Sequence, residues 1–402
     1  MGWEAPRAAE RLLHIGQVVR AERERRGLSR VVLAAKCGVA EGTVKNIELA
    51  RHQTSTDVLD KVTRALGLNL RQLLEGDLPE PSPLNCLISP GLDPLAAVRE
   101  LEDVLAAPGG GVVEQTALYL DHCSARGWQE VTRQPAYIFS RDSLPLPAVA
   151  RKAAELGLGP IDLIGLGCGD GYKEVRLAQH LLAQRLDLRL FLLDVSHPLL
   201  AHAYRHAVSQ LGPVSVFAQQ GDFHDLPRYG HLLPGAGGPL RRRLLCMFGC
   251  TLGNLASELN FVQNTFAGYA PGDLLLLHVS RTRAPASDPA AVRRLDPRLA
   301  GPLPEVEQTW LLGLIERYGR HVGAPLPQVE LETELDLSCC PVPGSYAIRH
   351  VARLSGRRVV LALVKRYEPG QLGEALRAIG WEPVGSWEEE HDALLLLRRA
   401  GA

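Results

Sequence analysis

The chain has no run of about 18 apolar residues, the length a helix needs to cross a bilayer. It also lacks the basic start and apolar core of a signal peptide, beginning Met1-Gly2-Trp3-Glu4-Ala5-Pro6. These absences lead us to expect a cytoplasmic protein with no membrane partner. Cysteine is scarce, 8 in 402 residues, far below the density of disulfide-stapled scaffolds. No Cys-x-x-Cys pair and no flanking histidine cluster points to zinc, so no metal is expected and the thiols read as reduced and inert. Cys246 and Cys250 have the spacing of two ligands on a helix, but their apolar surroundings read as a strand, and the vicinal pair Cys339-Cys340 could bind a soft metal. With 46% hydrophobic and 22% charged residues, the chain is not globally disordered. Its length predicts two or three domains.

Net charge is −1 overall but unevenly placed. Met1 to Gly76 holds 13 Lys+Arg and 9 Asp+Glu, a net of +4. A basic head on a mildly acidic body suits a polyanionic partner. Residues 11–76 read as short helices: 11–26, amphipathic through Leu12, Ile15 and Val19; 30–36, capped by Ser29; 41–49; one capped by Ser55 or Thr56 and ending at Gly67; and 71–74. Two helices joined by a short turn containing Gly38 make a helix-turn-helix. The expected core is Leu33, Ala34, Val39, Val44, Ile47, Leu59, Val62 and Leu66.

Gly27-Leu28-Ser29, Leu33-Ala34, Gly38-Val39, Thr43-Val44, Ile47-Glu48 and Ala65-Leu66-Gly67 together resemble the Cro/C1-type helix-turn-helix family. The resemblance implies that the third helix enters the major groove of double-stranded DNA. Its exposed candidates are Glu41, Thr43, Lys45 and Asn46, with Asn46 suited to adenine and Glu41 to cytosine. Arg30 and Arg51 are placed to reach phosphates. A homodimer on an inverted repeat is expected, although the sequence shows no dimer interface. Docking to another protein is the alternative use of such a domain. Pro79, Pro81 and Pro83 mark residues 77–92 as an extended linker.

From residue 93 to 402, helix and strand patterns alternate, which argues for a mostly parallel sheet covered by helices. Ile161 to Leu166 is a buried strand running into Gly167-Cys168-Gly169-Asp170-Gly171. A helix follows, then the strand Leu188 to Leu193 closed by Asp194, which lies 25 residues after Gly169. A strand, a glycine turn, a helix and an acid ending the next strand form a nucleotide-binding arrangement. The form Gly165-x-Gly167-x-Gly169-x-Gly171 resembles the first motif of class I S-adenosylmethionine (SAM)-dependent methyltransferases. With Lys173, Leu193-Asp194-Val195-Ser196, Gly221-Asp222-Phe223, Phe248 to Leu255, and Glu130 to Tyr137 upstream, the chain resembles the histidine-specific methyltransferases. That family includes the enzyme making trimethylhistidine for ergothioneine.

The resemblance implies SAM as cofactor and a Rossmann-like doubly wound α/β domain with an antiparallel last strand. The cofactor core would span about 160–280 and an inserted substrate-side subdomain about 281–355. Gly165, Gly167 and Gly169 would approach the cofactor, and Lys173 would pair with its carboxylate. Asp194 would bind the ribose, Asp222 the adenine amino group with Phe223 beside the ring, and Gly249 would line the cofactor. Asn254 matches the family asparagine that holds the substrate. His278, ending the fifth strand, and Tyr137 are further catalytic or substrate candidates. A helix over 309–318 is either a substrate lid or a packing helix.

Two departures bear on the substrate. Registered on Pro369, the family's Glu-x-Ser pair falls on Ala362 and Val364, and its Ala-Tyr-Asp-Asp stretch is replaced by Arg281-Thr282-Arg283-Ala284-Pro285. Histidine is therefore not the expected acceptor. A small amino-acid-like or more apolar molecule is, because lost polar partners penalise a polar ligand. The expected protein is a methyltransferase whose DNA-binding head regulates its own operon. The alternative is a regulator that senses SAM or an effector with little catalysis. A DNA methyltransferase is disfavoured because Phe248-Gly249-Cys250-Thr251 carries no proline.

Overall fold

A computed structural model of the chain describes residues 15, 16, 19, 20, 22, 23, 28–51, 54–66, 84–86, 92, 94–157, 159–212, 214–229, 241–323, 329–354 and 356–401. Two units divide between Ser82 and Pro83. The described residues of the first expected helix are helical, whereas the helix expected at 71–74 and the prolines of the linker lie outside the described residues.

In the first unit, α1 (Arg30–Cys37) starts where the Ser29 hydroxyl accepts from Val32 N–H at 3.2 Å and ends at Gly38, φ 64°. Three residues later α2 (Glu41–Glu48) begins. Of the two candidate caps for α3 (Thr56–Ala65), Ser55 accepts from Val58 N–H at 3.5 Å. Leu33, Ala34, Val44, Ile47, Leu59, Val62 and Leu66 are buried together with Ile15 and Val19, and Val39 packs against them half-buried.

The second unit has an eight-stranded sheet: β1 (Leu84–Cys86), β3 (Ile161–Leu166), β4 (Leu188–Asp194), β5 (Ser215–Gln220), β6 (Arg242–Met247), β7 (Leu274–Ser280), β11 (Trp381–Glu388) and β12 (Asp392–Arg399). Their spatial order is β1-β5-β4-β3-β6-β7-β12-β11. Only β12 runs against the others' direction, antiparallel to both of its neighbours, β7 and β11. The order reverses on either side of β3, where ligands of doubly wound sheets bind. Side chains alternate across the sheet. Leu163, Leu190, Leu244 and Leu276 face α7 (Leu146–Glu155), α8 (Tyr172–Ala183) and α9 (His197–Leu211). Ile164, Phe191, Leu245 and Leu277 face α10 (Glu258–Thr265) and α13 (Pro369–Ala378). Both faces are covered, so β3 is buried along its whole length.

Strands β2 (Gly111–Val112), β8 (Val329–Asp336), β9 (Tyr346–Leu354) and β10 (Arg357–Arg366) form a second sheet, ordered β2-β10-β9-β8. The insertion expected over 281–355 thus runs on through Arg366 and takes its other edge from before β3. The helix expected at 309–318 is α12 (Glu305–Val322), and it is a packing helix: Trp310, Leu311, Leu314 and Ile315 are buried. Residues 84–86, assigned to the linker from sequence, pair in parallel with β5. A three-residue ladder carries no periodicity to read. No helix among the described residues is long and apolar enough to cross a membrane.

Candidate cofactor and acceptor site

The turn after β3 holds Gly167, Gly169 and Gly171 at φ 64°, 56° and 70°, a left-handed conformation that glycine takes without the strain of a Cβ. Gly167 and Cys168 donate their N–H groups to Leu193 O at 2.9 and 3.1 Å. Gly169 N–H donates to Asp194 Oδ2 at 2.7 Å, and Ser196 N–H to Oδ1 at 2.8 Å. The carboxylate is thereby locked beneath the turn, 6% exposed, and burial pushes its pKa up to about 6. A Cβ on Gly167 would stand 3.3 Å from the Phe223 ring, which therefore borders the same turn. Asp222 caps the short turn that carries Phe223, accepting from His224 N–H at 2.9 Å.

Gly165 is a different case. Within β3, a Cβ there would lie 2.7 Å from Glu174 Cγ, so its lack of a side chain admits α8 against the strand. Glu174 is 1% exposed with both carboxyl oxygens unpartnered, and burial raises its pKa to about 8.

Lys173, in the first turn of α8, donates to the Tyr137 hydroxyl at 3.2 Å. Burial would lower its pKa, but Tyr137, with Cys250 and Glu174, more than offsets this and raises it. A Cβ on Gly249 (φ 71°) would be 3.7 Å from Lys173 Nζ. Gly249 N–H donates to His278 Nδ1 at 3.2 Å, and His278 is 3% exposed. Its Nε2 faces Asp392 Oδ2 at 3.6 Å, and although burial would lower the imidazole's pKa, Cys250 and Asp392 raise it to about 9. Sequence reasoning missed Asp392, Ser140 and Cys250, which gather around that point. The ligand atoms of Cys250, His278 and Asp392 lie within 4.8 Å of one another, so Cys250 is not the isolated thiol the sequence suggested.

Asn254 ends a short turn, Thr251–Asn254, and is half-buried. The turn is held from β10: a Cβ on Gly253 would be 3.0 Å from Lys365 O, and Lys365 Nζ donates to Leu255 O at 2.8 Å and Ala256 O at 3.1 Å. Lys365 forms a fully buried ion pair with Glu258, which also accepts from Tyr367 Oη at 3.2 Å. Beside the glycine turn, Trp128 lies 3.9 Å from where a Gly169 Cβ would be. Trp128 packs on Trp310, Tyr119 and Tyr137 with ring centroids 4.9, 5.5 and 6.0 Å apart. Ala362 and Val195 are buried in the same hydrophobic cluster as Trp310, with Trp128 and Tyr119 packed against it, while Val364 packs near Tyr346 and Ile348.

In the first unit, Glu41 and Lys45 on α2 and Arg51 beyond it are exposed, and Thr43 and Asn46 are half-buried. Arg30 donates from Nε to Glu48 Oε2 at 2.7 Å, so part of its guanidinium is engaged inside the domain. Burial would raise the Glu48 pKa, but Arg23 and Arg30 lower it.

Comparison with known proteins identifies the two domains. Residues 14–75 match the family described as helix-turn-helix domain, and residues 104–290 match that described as histidine-specific methyltransferase, SAM-dependent. No curated protein matches the chain. Among solved structures, 1,6-didemethyltoxoflavin-N1-methyltransferase of Burkholderia thailandensis is 12% identical over 69% of this chain and 88% of that one, with TM-score 0.36. Magnesium protoporphyrin IX methyltransferase of Synechocystis PCC 6803 is 10% identical over 73% and 99%, with TM-score 0.38. A chain of the SinR protein/SinI protein complex is 32% identical over 16% and 63%, with TM-score 0.15. At these scores the alignments add nothing to the strand order itself. The chain carries a helix-turn-helix domain followed by a SAM-dependent methyltransferase domain of the histidine-specific type.

Proposed function

We propose that the methyltransferase domain transfers the SAM methyl group to a small amino-acid-like or more apolar acceptor other than free histidine. The observation that carries this is the setting of Ala362. Where the family pattern has a polar pair, this chain has Ala362 buried in the hydrophobic cluster that includes Trp310, and Val364 against Tyr346 and Ile348. A polar imidazole placed there would lose its hydrogen-bond partners.

When bound, SAM supplies an electrophilic methyl group. The chain's own residues suit it: Asp194 as a fixed carboxylate for the ribose, Phe223 beside the adenine, Lys173 for the carboxylate, and Gly167, Gly169 and Gly249 for close backbone approach. Asn254 makes no side-chain hydrogen bond among the described residues, leaving its amide available to orient the acceptor. His278 acts as a positioning residue, because its ring stands against the Gly249 amide at 3.2 Å and against Asp392 at 3.6 Å. The rings of Trp128, Tyr119 and Trp310 exclude water and hold the acceptor in line with the methyl group.

The double variant Ala362→Glu with Val364→Ser tests this reading. It should gain methylation of free histidine that the parent protein lacks. Efficient histidine methylation by the parent would overturn it.

We further propose that the head binds duplex DNA as a homodimer through α2, with Lys45, Thr43, Asn46 and Glu41 toward the bases and Arg51 and Arg30 toward phosphates, and that it regulates the operon of this enzyme. Its net charge of +4 supports this. Selection from random DNA at low salt should yield one inverted repeat, and recovery of no sequence would favour a protein-docking role.

A further inference from the structure

Cys250 is set apart from most of the chain's other thiols. Burial raises the pKa of Cys37, Cys168, Cys246 and Cys339 and pushes Cys340 up to about 11. A thiol kept protonated in this way is a poor nucleophile. Cys250 is half-buried. It follows Gly249 with φ 61°, a left-handed backbone that few non-glycine residues take, and it caps the turn that ends at Asn254. Polar groups meet at its sulfur. The Ser280 hydroxyl can donate to Sγ at 3.1 Å or to Asp392 Oδ1 at 3.3 Å, and Sγ stands 4.0 Å from that oxygen. His278 Nε2 is buried without a full hydrogen bond among the described residues, with Asp392 Oδ2 at 3.6 Å. Sγ, the imidazole and the carboxylate lie within 4.8 Å of one another. Cys250 acts electrostatically on both His278 and Lys173, raising the pKa of each. Asp392 opposes the two cations, but Ser140 of helix α6 (Pro135–Ser143) donates to it at 2.6 Å and His278 faces the same oxygen. A partly open sulfur beside a hydroxyl donor, an imidazole and an ammonium has the setting of a reactive thiol.

We propose that Cys250 is an oxidation site: its thiol reduces a small hydroperoxide, and the sulfenic acid so formed obstructs the cofactor crevice until a thiol removes it. The inference does not depend on which acceptor the enzyme methylates. The neighbours fit an oxygen electrophile, because Ser140, Ser280 and His278 all offer donors where a leaving oxygen would stand. A half-buried sulfur also admits a small molecule more readily than a protein disulfide. A metal ion is the competing occupant of Cys250, His278 and Asp392. A ligating imidazole donates its other ring N–H to an acceptor, whereas His278 Nδ1 here faces the Gly249 N–H at 3.2 Å.

The step balances with the hydroperoxide as oxidant. An electron pair on sulfur forms the S–O bond as the O–O bond breaks. Sulfur loses two electrons and the peroxide gains them. The thiol proton passes by way of His278 to the departing oxygen, so hydrogen peroxide leaves as one water. The added oxygen stands next to Gly249, whose Cβ position is 3.7 Å from Lys173 Nζ, and at the head of the turn that carries Asn254. A dithiol reverses the step, becoming a disulfide and releasing that oxygen as water.

The test treats the full chain with hydrogen peroxide, traps sulfenic acid with dimedone and maps the adduct over all eight cysteines by mass spectrometry. The comparator is Cys123, which is exposed and whose thiol makes no hydrogen bond among the described residues. Adduct should form at Cys250 at least about tenfold faster than at Cys123. In His278→Gln the Cys250 rate should fall while the Cys123 rate stays the same. Calorimetry with S-adenosylhomocysteine (SAH) should show affinity at least about fivefold lower after oxidation, restored by dithiothreitol. Cys250→Ser should bind SAH as the reduced parent does, with or without peroxide. Equal rates at Cys250 and Cys123 would overturn the proposal, and this arm stands whether or not a variant folds. An unchanged SAH affinity in the oxidised parent would overturn it as well. One equivalent of metal in the purified chain, shielding Cys250 from dimedone, would assign the cluster to a metal ion instead. Absence of SAH binding in the reduced parent would sink the cofactor assignment and leave the thiol to be judged by its adduct rates.

Discussion

Lowering the pH through about 6 should weaken SAM binding while relieving a strain in the ligand-free protein, and Asp194 is the cause of both. Its carboxyl is 6% exposed. Burial raises its pKa from 3.8 to about 6, against the N–H groups of Ser196, Gly169 and Val195 that pull it down. Above pH 6 the group is ionised in the folded and unfolded chains alike, and the folded state carries the full desolvation cost. A shift of about two units corresponds to about 3 kcal/mol. Between pH 6 and 4 the folded carboxyl takes up a proton that the unfolded chain does not, so this destabilising contribution fades as pH falls. Binding of the ribose requires the carboxylate and runs the opposite way. Its ionised fraction drops from about 0.9 at pH 7 to about 0.1 at pH 5, so affinity should fall roughly tenfold. Asp194→Asn should remove both dependences and weaken SAM at pH 7 by about 2 kcal/mol, the worth of hydrogen bonds to a charged group. Calorimetry with SAH from pH 5 to 7.5, with urea unfolding at the same pH values, checks each arm against the variant. Identical pH profiles for the parent and Asp194→Asn would refute the reasoning.

Other outcomes follow from the same geometry. Gly171→Ala should weaken SAH binding and cost at least about 1–2 kcal/mol, because φ is 70° and the new Cβ would stand 2.8 Å from Ala203 Cβ; calorimetry and urea unfolding read both. Glu258→Ala should cost about 3–5 kcal/mol by leaving the Lys365 ammonium buried without its partner, and adding Lys365→Met should recover much of that stability in the same unfolding assay. Lys45→Ala should weaken DNA binding on all sequences and lower the salt slope by about 1, whereas Asn46→Ala should relax base preference at one position; fluorescence anisotropy on the selected operator and its single-base variants separates the two.

The glycine turn, its strand and Asp194 were legible because they lie within about 35 residues and each has a local physical reason: left-handed backbone, close approach, a strand end. The caps at Ser29 and Ser55 were legible for the same reason. Gly165 looked like part of the cofactor motif, yet its clearance serves Glu174, a partner nine residues on that no motif flags. Asp392 was invisible. Its contacts reach back 112, 142 and 252 residues, to Ser280, Cys250 and Ser140. In sequence it is simply the acid before a run of leucines. Cys250 read as inert because a thiol's chemistry depends on neighbours that only the fold supplies. Strand β10 is an apolar run in sequence, but nothing local says which of two sheets it joins.

The central claim is that this chain methylates a small amino-acid-like or more apolar acceptor other than histidine, with SAM held at the glycine turn. The most direct measurement is transfer of label from methyl-labelled SAM, run in parallel on free histidine, a panel of apolar and aromatic amines, and duplex DNA. The account predicts label in one or more members of the panel, none in DNA, little in histidine, and transfer roughly thirtyfold lower in Asp194→Asn at subsaturating SAM. Efficient labelling of histidine or DNA, or transfer that persists undiminished in Asp194→Asn, would contradict it.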